Sequence, residues 1–321
     1  MVCKNIKTKM KILFYGAGVI GSIYAARLHQ SHADVTLLAR GKRYEILKQN
    51  GVIIKDVLTG KQTTNNIPLT QQLQPSDFYD LIIVTVRLDQ LKSIIKILKQ
   101  NTVCHFIMFM LNNFDDIELL INELAPKHII SGFPGAGGTY HDNRIDYIQI
   151  KQQKTTIGDM DGKISNLTQE IKLLFERAGF ETVINSNMQA WLQIHAVFVA
   201  CVSASIIKEN GSSIQLGKNK SRIREMVNAI RQGFLACKKI GLPIAPANLK
   251  IIFMTMPKWF SVLYWQHAMQ SNMDTLGMAP HANEAKAEMQ LLAKKVLTIV
   301  HSSSVATPSL DKLLSTFINS E

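Results

Sequence analysis

The sequence has few cysteines and none close to another, which excludes two common architectures. Its four cysteines, Cys3, Cys104, Cys201 and Cys237, form no C-x-x-C pair, so we predict neither a disulfide framework nor a zinc knuckle. No cluster of side chains has metal-ligand spacing, and we expect no metal. The first residues, MVCKNIKTKMK, lack the apolar stretch of a secretion signal. These absences together predict a cytoplasmic protein.

Long hydrophobic runs are also lacking. A membrane span needs about 20 mostly apolar residues, whereas the longest weakly polar run, residues 191–207, is interrupted by Gln193, His195, Ser203 and Ser205. We interpret this run as a buried central helix, with a membrane span as the less favoured alternative. Internal repeats and low-complexity segments are absent as well. The 321 residues, 46% of them hydrophobic and 19% charged, are typical of a globular protein long enough for two domains.

Positive charge is in excess, with a formal net charge of +12. The cations are spread along the chain, and their densest cluster is Lys218, Lys220, Arg222 and Arg224 at the predicted start of a helix. This cluster lacks interleaved aromatic residues, so a solvated helix face is favoured over a nucleic-acid surface, which we keep as the last-ranked hypothesis. A basic field also attracts anionic small molecules.

The first half of the chain alternates between short apolar runs and helical patterns. Continuous apolar strands between helices predict a parallel sheet covered on both faces. The predicted strands cover residues 11–15, 34–39, 80–86, 103–111, 129–132, 144–150, 155–158 and 180–184, and helices are predicted after the first strand and over 43–49, 88–99 and 164–178.

The second half is almost entirely helical in pattern. Asn185-Ser186-Asn187 offers helix-capping side chains, and helices are predicted over 188–208, 222–240, 251–270 and 283–301. We therefore predict an α/β protein with a parallel-sheet domain at residues 1–186 and a helical substrate domain at residues 187–321. The cleft between them is the expected substrate site.

One glycine motif indicates a nucleotide ligand. Gly16-Ala17-Gly18-Val19-Ile20-Gly21 is a G-x-G-x-x-G between a predicted strand and a predicted helix, which is the context in which this pattern binds a dinucleotide. Gly16 would permit the tight turn, Gly18 would let the backbone approach a pyrophosphate, and Gly21 would let the helix pack closely on the strand. Free N–H groups at the helix start would bind the phosphates. A turn without a ligand is the less favoured alternative.

The residue at the end of the second strand indicates which dinucleotide binds. An NAD site usually has Asp or Glu there, about 20 residues after the loop. This chain has Arg40, followed by Lys42 and Arg43, with no acid before Glu45. Because Arg accommodates a 2′-phosphate, NADP is favoured. The alternative is that the three cations are surface charge.

Seven short motifs along residues 11–313 are shared with a known family. They are GAGVIG, LLAR ending at Arg40, LIIVTVR ending at Arg87, LNNFDDIE around Asn112, AWLQIHAV around Trp191, ENG at Asn210 and the closing VATPSLDKL. By these residues the chain resembles the ketopantoate reductase (2-dehydropantoate 2-reductase) family. The resemblance implies a Rossmann-type domain followed by an all-helical C-terminal domain, and NADPH-dependent reduction of a small anionic 2-oxo acid. It also implies a place in pantothenate biosynthesis and allows a homodimer through the helical domain.

The resemblance assigns roles on the cofactor side. Arg40 would bind the 2′-phosphate, and Arg87 stands where a cofactor-contacting Lys is usual. Asn112 would contact both the nicotinamide ribose and the substrate, although Asn113 replaces the Gly that usually follows. A second glycine-rich stretch, residues 133–138, ends at Gly138 and either brings its backbone close to the nicotinamide or is only a loop.

On the substrate side the resemblance assigns three residues. Asn210 matches a substrate-contacting Asn, and Ser261 matches a Ser that binds the substrate carboxylate. Glu288 matches an active-site Glu, with Glu284 as a competing choice because the intervening segment is longer than usual.

One helix departs from the family pattern, which has a general-acid Lys and two Asn at successive intervals of four. These positions hold Gln193, Val197 and Cys201, which lie on one helical stripe. Ketone reduction requires a hydride and a proton or hydrogen bond for the developing alkoxide, and Gln193 can only hydrogen-bond. We therefore expect an altered substrate. The alternative is a non-catalytic NADP(H)-binding sensor or regulatory protein.

Two histidines are candidates to replace the missing acid. His195 lies two positions from Gln193, nearly on the opposite side of the helix, and we interpret it as a packed histidine rather than the donor. His281 lies seven positions before Glu288 and would share a helix face with it if that helix starts early. A surface or capping role for His281 is favoured.

Overall fold

The computed structural model describes residues 10–87, 90–111, 117–150, 153–271 and 279–320. Its central sheet has eight strands: β1 (Lys11–Tyr15), β2 (Asp34–Leu38), β5 (Leu69–Thr70), β6 (Leu81–Val84), β7 (Phe106–Met110), β8 (His128–Phe133), β11 (Thr155–Asp159) and β12 (Thr182–Ile184). Their spatial order is β12-β11-β8-β7-β6-β1-β2-β5. All neighbouring pairs are parallel except β8 and β11. The predicted α/β fold with a mostly parallel sheet is confirmed.

Apolar side chains cover both faces of this sheet, as the continuous apolar strands predict. On β1, Ile12 and Phe14 belong to one hydrophobic cluster while Leu13 and Tyr15 belong to another. The alternation follows from the two-residue period of a strand. Helices of the first half of the chain are α1 (Val19–Gln30), α2 (Gly41–Asn50), α3 (Leu91–Gln100), α4 (Ile117–Leu124) and α5 (Asn166–Arg177).

A second sheet was largely missed by the sequence prediction. It consists of β3 (Val52–Asp56), β4 (Gln62–Asn65), β9 (Ala136–His141) and β10 (Arg144–Gln149), in the order β4-β3-β10-β9. Only β10 was predicted, because β4 is polar and β9 begins within the second glycine-rich stretch; the apolar start of β3 was a signal that the prediction overlooked. Gly138 lies within β9, where an added Cβ would come within 2.5 Å of the Asp146 carbonyl oxygen on β10. The end of that stretch, residues 136–138, therefore lies in a strand.

The remaining chain is helical. Its elements are α6 (Met188–Lys208), α7 (Ser213–Lys218), α8 (Lys220–Lys239), α9 (Ala247–Lys250), a π-helical turn (Ile251–Thr255), α10 (Lys258–Ala268), α11 (Ala279–Glu284), α12 (Lys286–His301) and α13 (Pro308–Ile318). By length and composition α6 could cross a membrane, but 83% of its most apolar window is buried inside the protein, as expected for a central core helix. The change from strands to helices falls between β12 and α6, and the division into domains at residue 186 stays a prediction.

The predicted helix 251–270 is wrong as a single element. Pro257 separates the π-helical turn from α10, and the preceding Met256 is extended, with ψ 149°. Proline lacks a backbone N–H and disfavours helical geometry in the residue before it, which accounts for the break. The predicted helix 283–301 is likewise two helices, α11 and α12, on either side of Ala285.

A buried carboxylate connects β11 to the start of α5. His128 Nε2 lies 2.6 Å from Asp159 Oδ1, and Ser165 donates from its backbone N–H and its hydroxyl to the same carboxylate at 2.9 and 2.8 Å. Burial of Asp159 opposes its charged form, but these hydrogen bonds outweigh that effect and hold its pKa below the usual range. Ser165 in turn caps α5.

We expect Asp159→Asn to lower the free energy of unfolding at pH 7 by about 1–3 kcal/mol, because buried donors lose a charged acceptor. The folded-state pKa lies below the unfolded value of about 3.9, so this stabilisation is present above that pH and is lost as the pH falls through the folded-state pKa. Thermal unfolding at pH 7 and pH 3 measures both effects, with exposed Glu45→Gln as the control. An equal loss at both pH values would contradict the prediction.

Candidate active site

A cavity of about 850 Å³ opens at the carboxyl ends of β1, β2 and β6. β1 lies between β2 and β6, and the chain proceeds from β1 to one neighbour and later to the other. Ligands of open α/β sheets bind at such a switch point. The cavity therefore has one wall made of strand ends and loops, while helices α6 and α12 contribute the other wall.

The glycine motif forms the turn between β1 and α1. Gly16 has φ +121°, a backbone conformation that favours glycine, and its carbonyl accepts a hydrogen bond from the Thr85 hydroxyl at 2.9 Å. A Cβ on Gly21 would collide with the Gly16 carbonyl and the Thr85 hydroxyl, whereas one on Gly18 would have no atom within 4 Å. The turn is closed on the protein side and open towards the cavity.

The start of α1 is arranged to bind an anion. Gly18 is its N-cap, with no side-chain cap and no acidic residue in the first turn. The first N–H groups of a helix lack intrahelical acceptors, and the helix dipole favours a negative charge there. The predicted residues from Gly16 to Ile20 all line the cavity, and Gly21 supports them from behind.

Arg43 holds the glycine turn from the other side, a role that sequence reasoning did not assign. Its Nε donates to the Ala17 carbonyl at 3.2 Å and its Nη2 to the Ser22 hydroxyl at 3.4 Å. The Tyr140 hydroxyl donates to the same Ala17 carbonyl at 3.0 Å, and the guanidinium lies over the Tyr140 ring. Burial lowers the pKa of Arg43 from its usual value. The only signal in the sequence was the run of cations after β2.

The predicted cations converge on the same cavity. Arg40, the N-cap of α2, and Arg87, which follows β6, are exposed and line it, as does Gly138 from β9. The carboxylates among the lining residues are Asp142 and Glu288. Neither stands at the end of β2, where an NAD site usually has its acidic residue. The glycine turn, the uncapped helix start and the arginines fit a nicotinamide dinucleotide.

The opposite wall is formed by a different side of α6 from the predicted stripe. α6 lines the cavity with His195, Phe198, Val199, Val202 and Ser203, so the positions at intervals of four that face it are 195, 199 and 203. The predicted stripe lies two residues earlier and does not line the cavity. Gln193 is half-buried elsewhere, Val197 packs where Gly233 of α8 leaves room, and Cys201 is fully buried in the helical core, where burial raises its pKa.

His195 is buried within an aromatic cluster on this wall. Its ring stacks on Trp191 at 4.8 Å between centroids and meets the edge of Phe133 at 4.2 Å. Only 4% of the residue is exposed, and burial lowers its pKa to about 3. Nδ1 has no hydrogen-bond partner within the part of the chain that the structure describes. A packed histidine was predicted, but its position at the cavity was not.

Of the other predicted substrate residues, some line the cavity and some do not. Glu288, in the first turn of α12, lines the cavity and is 6% exposed. Ser261 does not line the cavity. Its hydroxyl is buried and donates to the Ile252 carbonyl at 2.5 Å. Asn210 is exposed just beyond α6 and is not a lining residue. Asn112 lies outside the described residues, as do the side chains of His281 and Glu284.

Comparison with known proteins supports the family resemblance. Residues 12–162 match the family model described as ketopantoate reductase PanE/ApbA. The 2-dehydropantoate 2-reductase of Pyrococcus horikoshii is 22% identical over 250 residues, which is 77% of this chain and 80% of that protein. These comparisons support the resemblance to the ketopantoate reductase family. Members of this family are nicotinamide-dependent oxidoreductases that act on CH–OH groups.

Solved structures share the fold over nearly the whole chain. A 2-dehydropantoate 2-reductase from Geobacter metallireducens has a TM-score of 0.75 at 14% identity, covering 96% of this chain and 99% of its own. D-mandelate dehydrogenase, solved with NADH and anilino(oxo)acetate, has a TM-score of 0.73 at 14% identity, covering 96% and 97%. Among the residues that the structure describes, no group of His, Cys, Asp and Glu could hold a metal ion.

We expect Gly18→Ala to weaken binding of the dinucleotide by about tenfold or more, the equivalent of 1.4 kcal/mol, with an unchanged thermal midpoint. The added methyl group has a permitted φ of −72° and no neighbour within 4 Å, but it projects into the space that a pyrophosphate would occupy. Fluorescence titration with NADPH and thermal unfolding measure the two effects. In contrast, Gly21→Ala should lower stability because it collides with Gly16. Unchanged NADPH affinity in Gly18→Ala would contradict the assignment of the loop.

Proposed function

We propose that this protein is an NADPH-dependent reductase of a small 2-oxo acid. The observation that carries the proposal is that one cavity joins the glycine turn and Arg40 on one wall to buried His195 and Glu288 on the other. A cofactor held at the first wall would direct its reactive end along a cavity whose far side has polar groups for a substrate. A protein that only binds a dinucleotide has no need of the second wall.

NADP as the cofactor is supported by the charges after β2. Arg40 is exposed, lines the cavity and makes no ion pair with any described residue. No carboxylate stands at the end of β2, where it would accept hydrogen bonds from an unphosphorylated ribose; the first acid after this strand is Glu45. Arg43 is engaged with the glycine turn, which leaves Arg40 as the proposed partner of the 2′-phosphate. Arg87, Gly138 and Asn112 remain proposed cofactor contacts.

An anionic substrate suits the charge of the cavity, which has Arg40, Arg43 and Arg87 against Asp142 and Glu288. Family members act on small 2-oxo acids. The α6 wall is mostly apolar, since Phe198, Val199 and Val202 line it together. We therefore infer a 2-oxo acid with an apolar side chain rather than the hydroxylated 2-dehydropantoate. Asn210 and Ser261 do not line the cavity, and their roles as substrate contacts stay predictions.

The reaction adds a hydride to the carbonyl carbon and a proton to the carbonyl oxygen. A nicotinamide cofactor supplies the hydride when it is bound. The protein must bind the carboxylate, exclude water and stabilise the oxygen on which charge develops. Glu288, which lines the cavity, is the proposed acceptor of a hydrogen bond from the hydroxyl group of the product. A cytoplasmic location and a homodimer through the helical domain stay predictions.

We expect Arg40→Ala to raise the Kd for NADPH by at least about tenfold, because a charge-assisted hydrogen bond to the 2′-phosphate is lost. The Kd for NADH, which lacks this phosphate, should change little. The control is Lys42→Ala, since Lys42 is exposed, lies two residues away and does not line the cavity. Equal losses for NADPH and NADH, or no loss for either, would overturn the proposed role of Arg40.

We expect steady-state oxidation of NADPH to be faster with 3,3-dimethyl-2-oxobutanoate than with 2-dehydropantoate, which carries one additional hydroxyl group. An apolar wall disfavours a buried hydroxyl group without a partner, and we expect about tenfold or more in kcat/KM. A preference for 2-dehydropantoate would contradict the inferred substrate class. Tight NADPH binding without turnover of any 2-oxo acid would instead support the sensor hypothesis.

A further inference from the structure

The geometry points to His195 as the group that donates a hydrogen bond to the oxo oxygen of the substrate. This inference rests on the proposed reductase function and adds the residue that acts opposite the hydride. It replaces Gln193, the position expected from the sequence, with a residue two places further along α6 that lines the cavity.

The surroundings of His195 hold its ring in one place. Trp191 is parallel to it, with 12° between the ring planes, and Phe133 meets it edge-on at 63°. Phe133 also lines the cavity, at the end of β8. A ring fixed by aromatic contacts is oriented before any substrate binds, so little ordering remains to be done when the hydrogen bond forms.

One ring nitrogen of His195, Nδ1, has no hydrogen-bond partner within the described part of the chain. Neutral imidazole has one N–H donor and one acceptor nitrogen. A buried polar atom without a partner costs about 1–3 kcal/mol in a folded protein. Because Nδ1 is closed off from the cavity, a proton on Nε2 is the arrangement in which this cavity-lining ring can donate to a ligand.

Its burial makes His195 a neutral donor at physiological pH. A neutral imidazole can polarise a carbonyl group without being protonated. During reduction one hydride adds to the carbonyl carbon, the C–O π electrons move to oxygen, and that oxygen accepts the hydrogen bond from His195. The nicotinamide is oxidised, the ketone is reduced, and one proton taken up from water completes the hydroxyl group.

The polar side chains on the helical wall of the cavity are His195, Ser203 and Glu288. Ser203 lies eight residues beyond His195 on α6, about 12 Å further along the helix axis. The two therefore cannot contact one carbonyl oxygen together. The substitution Ser203→Ala therefore tests Ser203 as an alternative donor to His195. Gln193→Ala tests the donor position expected from the sequence.

The experiment compares His195→Ala and His195→Gln with the wild-type chain. We expect kcat/KM for reduction of 3,3-dimethyl-2-oxobutanoate to fall about 100- to 10,000-fold in His195→Ala, with the NADPH affinity unchanged. Loss of the buried ring should lower the thermal midpoint, so the assays are run well below the midpoint of the variant. Added imidazole should restore part of the rate to His195→Ala. His267→Gln, which changes an exposed histidine of the helical domain, is the matched control and should keep full activity.

A binding measurement makes the test independent of turnover. Oxamate, a carbonyl analogue of a 2-oxo acid, is titrated by calorimetry into wild-type protein saturated with NADPH and into the same complex of His195→Ala. We expect at least about tenfold weaker binding to the variant, the loss of one hydrogen bond. Neither readout would respond in this way if His195 only packed against Trp191 and Phe133.

The outcomes separate this inference from the proposed function. Wild-type turnover with unaffected His195 variants would overturn the role of His195 and leave the reductase function standing, and a large loss in Ser203→Ala or Gln193→Ala would then identify the donor. Wild-type protein that neither reduces any 2-oxo acid nor binds oxamate would overturn the proposed function and this inference with it.

Discussion

The chain turns from β1 into α1 with Gly16 against the backbone of Thr85 and with Gly21 against the carbonyl of Gly16. This close approach sets the geometry of the cavity, because any side chain at Gly21 would displace the helix that supplies the phosphate-binding N–H groups. The Thr85 hydroxyl, from the end of β6, donates to the Gly16 carbonyl and connects two neighbouring strand ends. Arg43 of α2 and Tyr140 of the second sheet both donate hydrogen bonds to the next carbonyl, that of Ala17.

The two walls of the cavity differ in polarity. The strand-end wall presents backbone N–H groups and arginines, which suit phosphate and carboxylate groups through charge and hydrogen bonding. The α6 wall presents aromatic and aliphatic side chains around one imidazole, where removal of water strengthens each remaining polar contact. A dinucleotide with a charged end and a reactive, less polar end matches this arrangement. Glu288 adds a buried carboxyl group to the apolar side.

Much of the fold could be predicted because local patterns and tertiary packing agree. Continuous apolar runs gave β1 and β6, and the helix of residues 188–208 has the predicted bounds. In the second sheet, β4 and β9 could not be predicted, since they are rich in polar residues and glycine and are stabilised by pairing with neighbouring strands rather than by their own composition. The break at Pro257 had a visible signal, but the apolar pattern on both sides concealed it.

The sequence by itself determined the glycine turn, the cations after β2 and the helical character of α6, because these depend on glycine geometry, short-range charge and local hydrophobicity. Only the tertiary structure decided which side of α6 faces the cavity. Nearly every residue of that helix is buried, so no polar stripe fixes its rotation, and a shift of two residues turns it by about 200°. Packing against α8, α12 and α13 sets that rotation, which directs His195 rather than Gln193 towards the cavity.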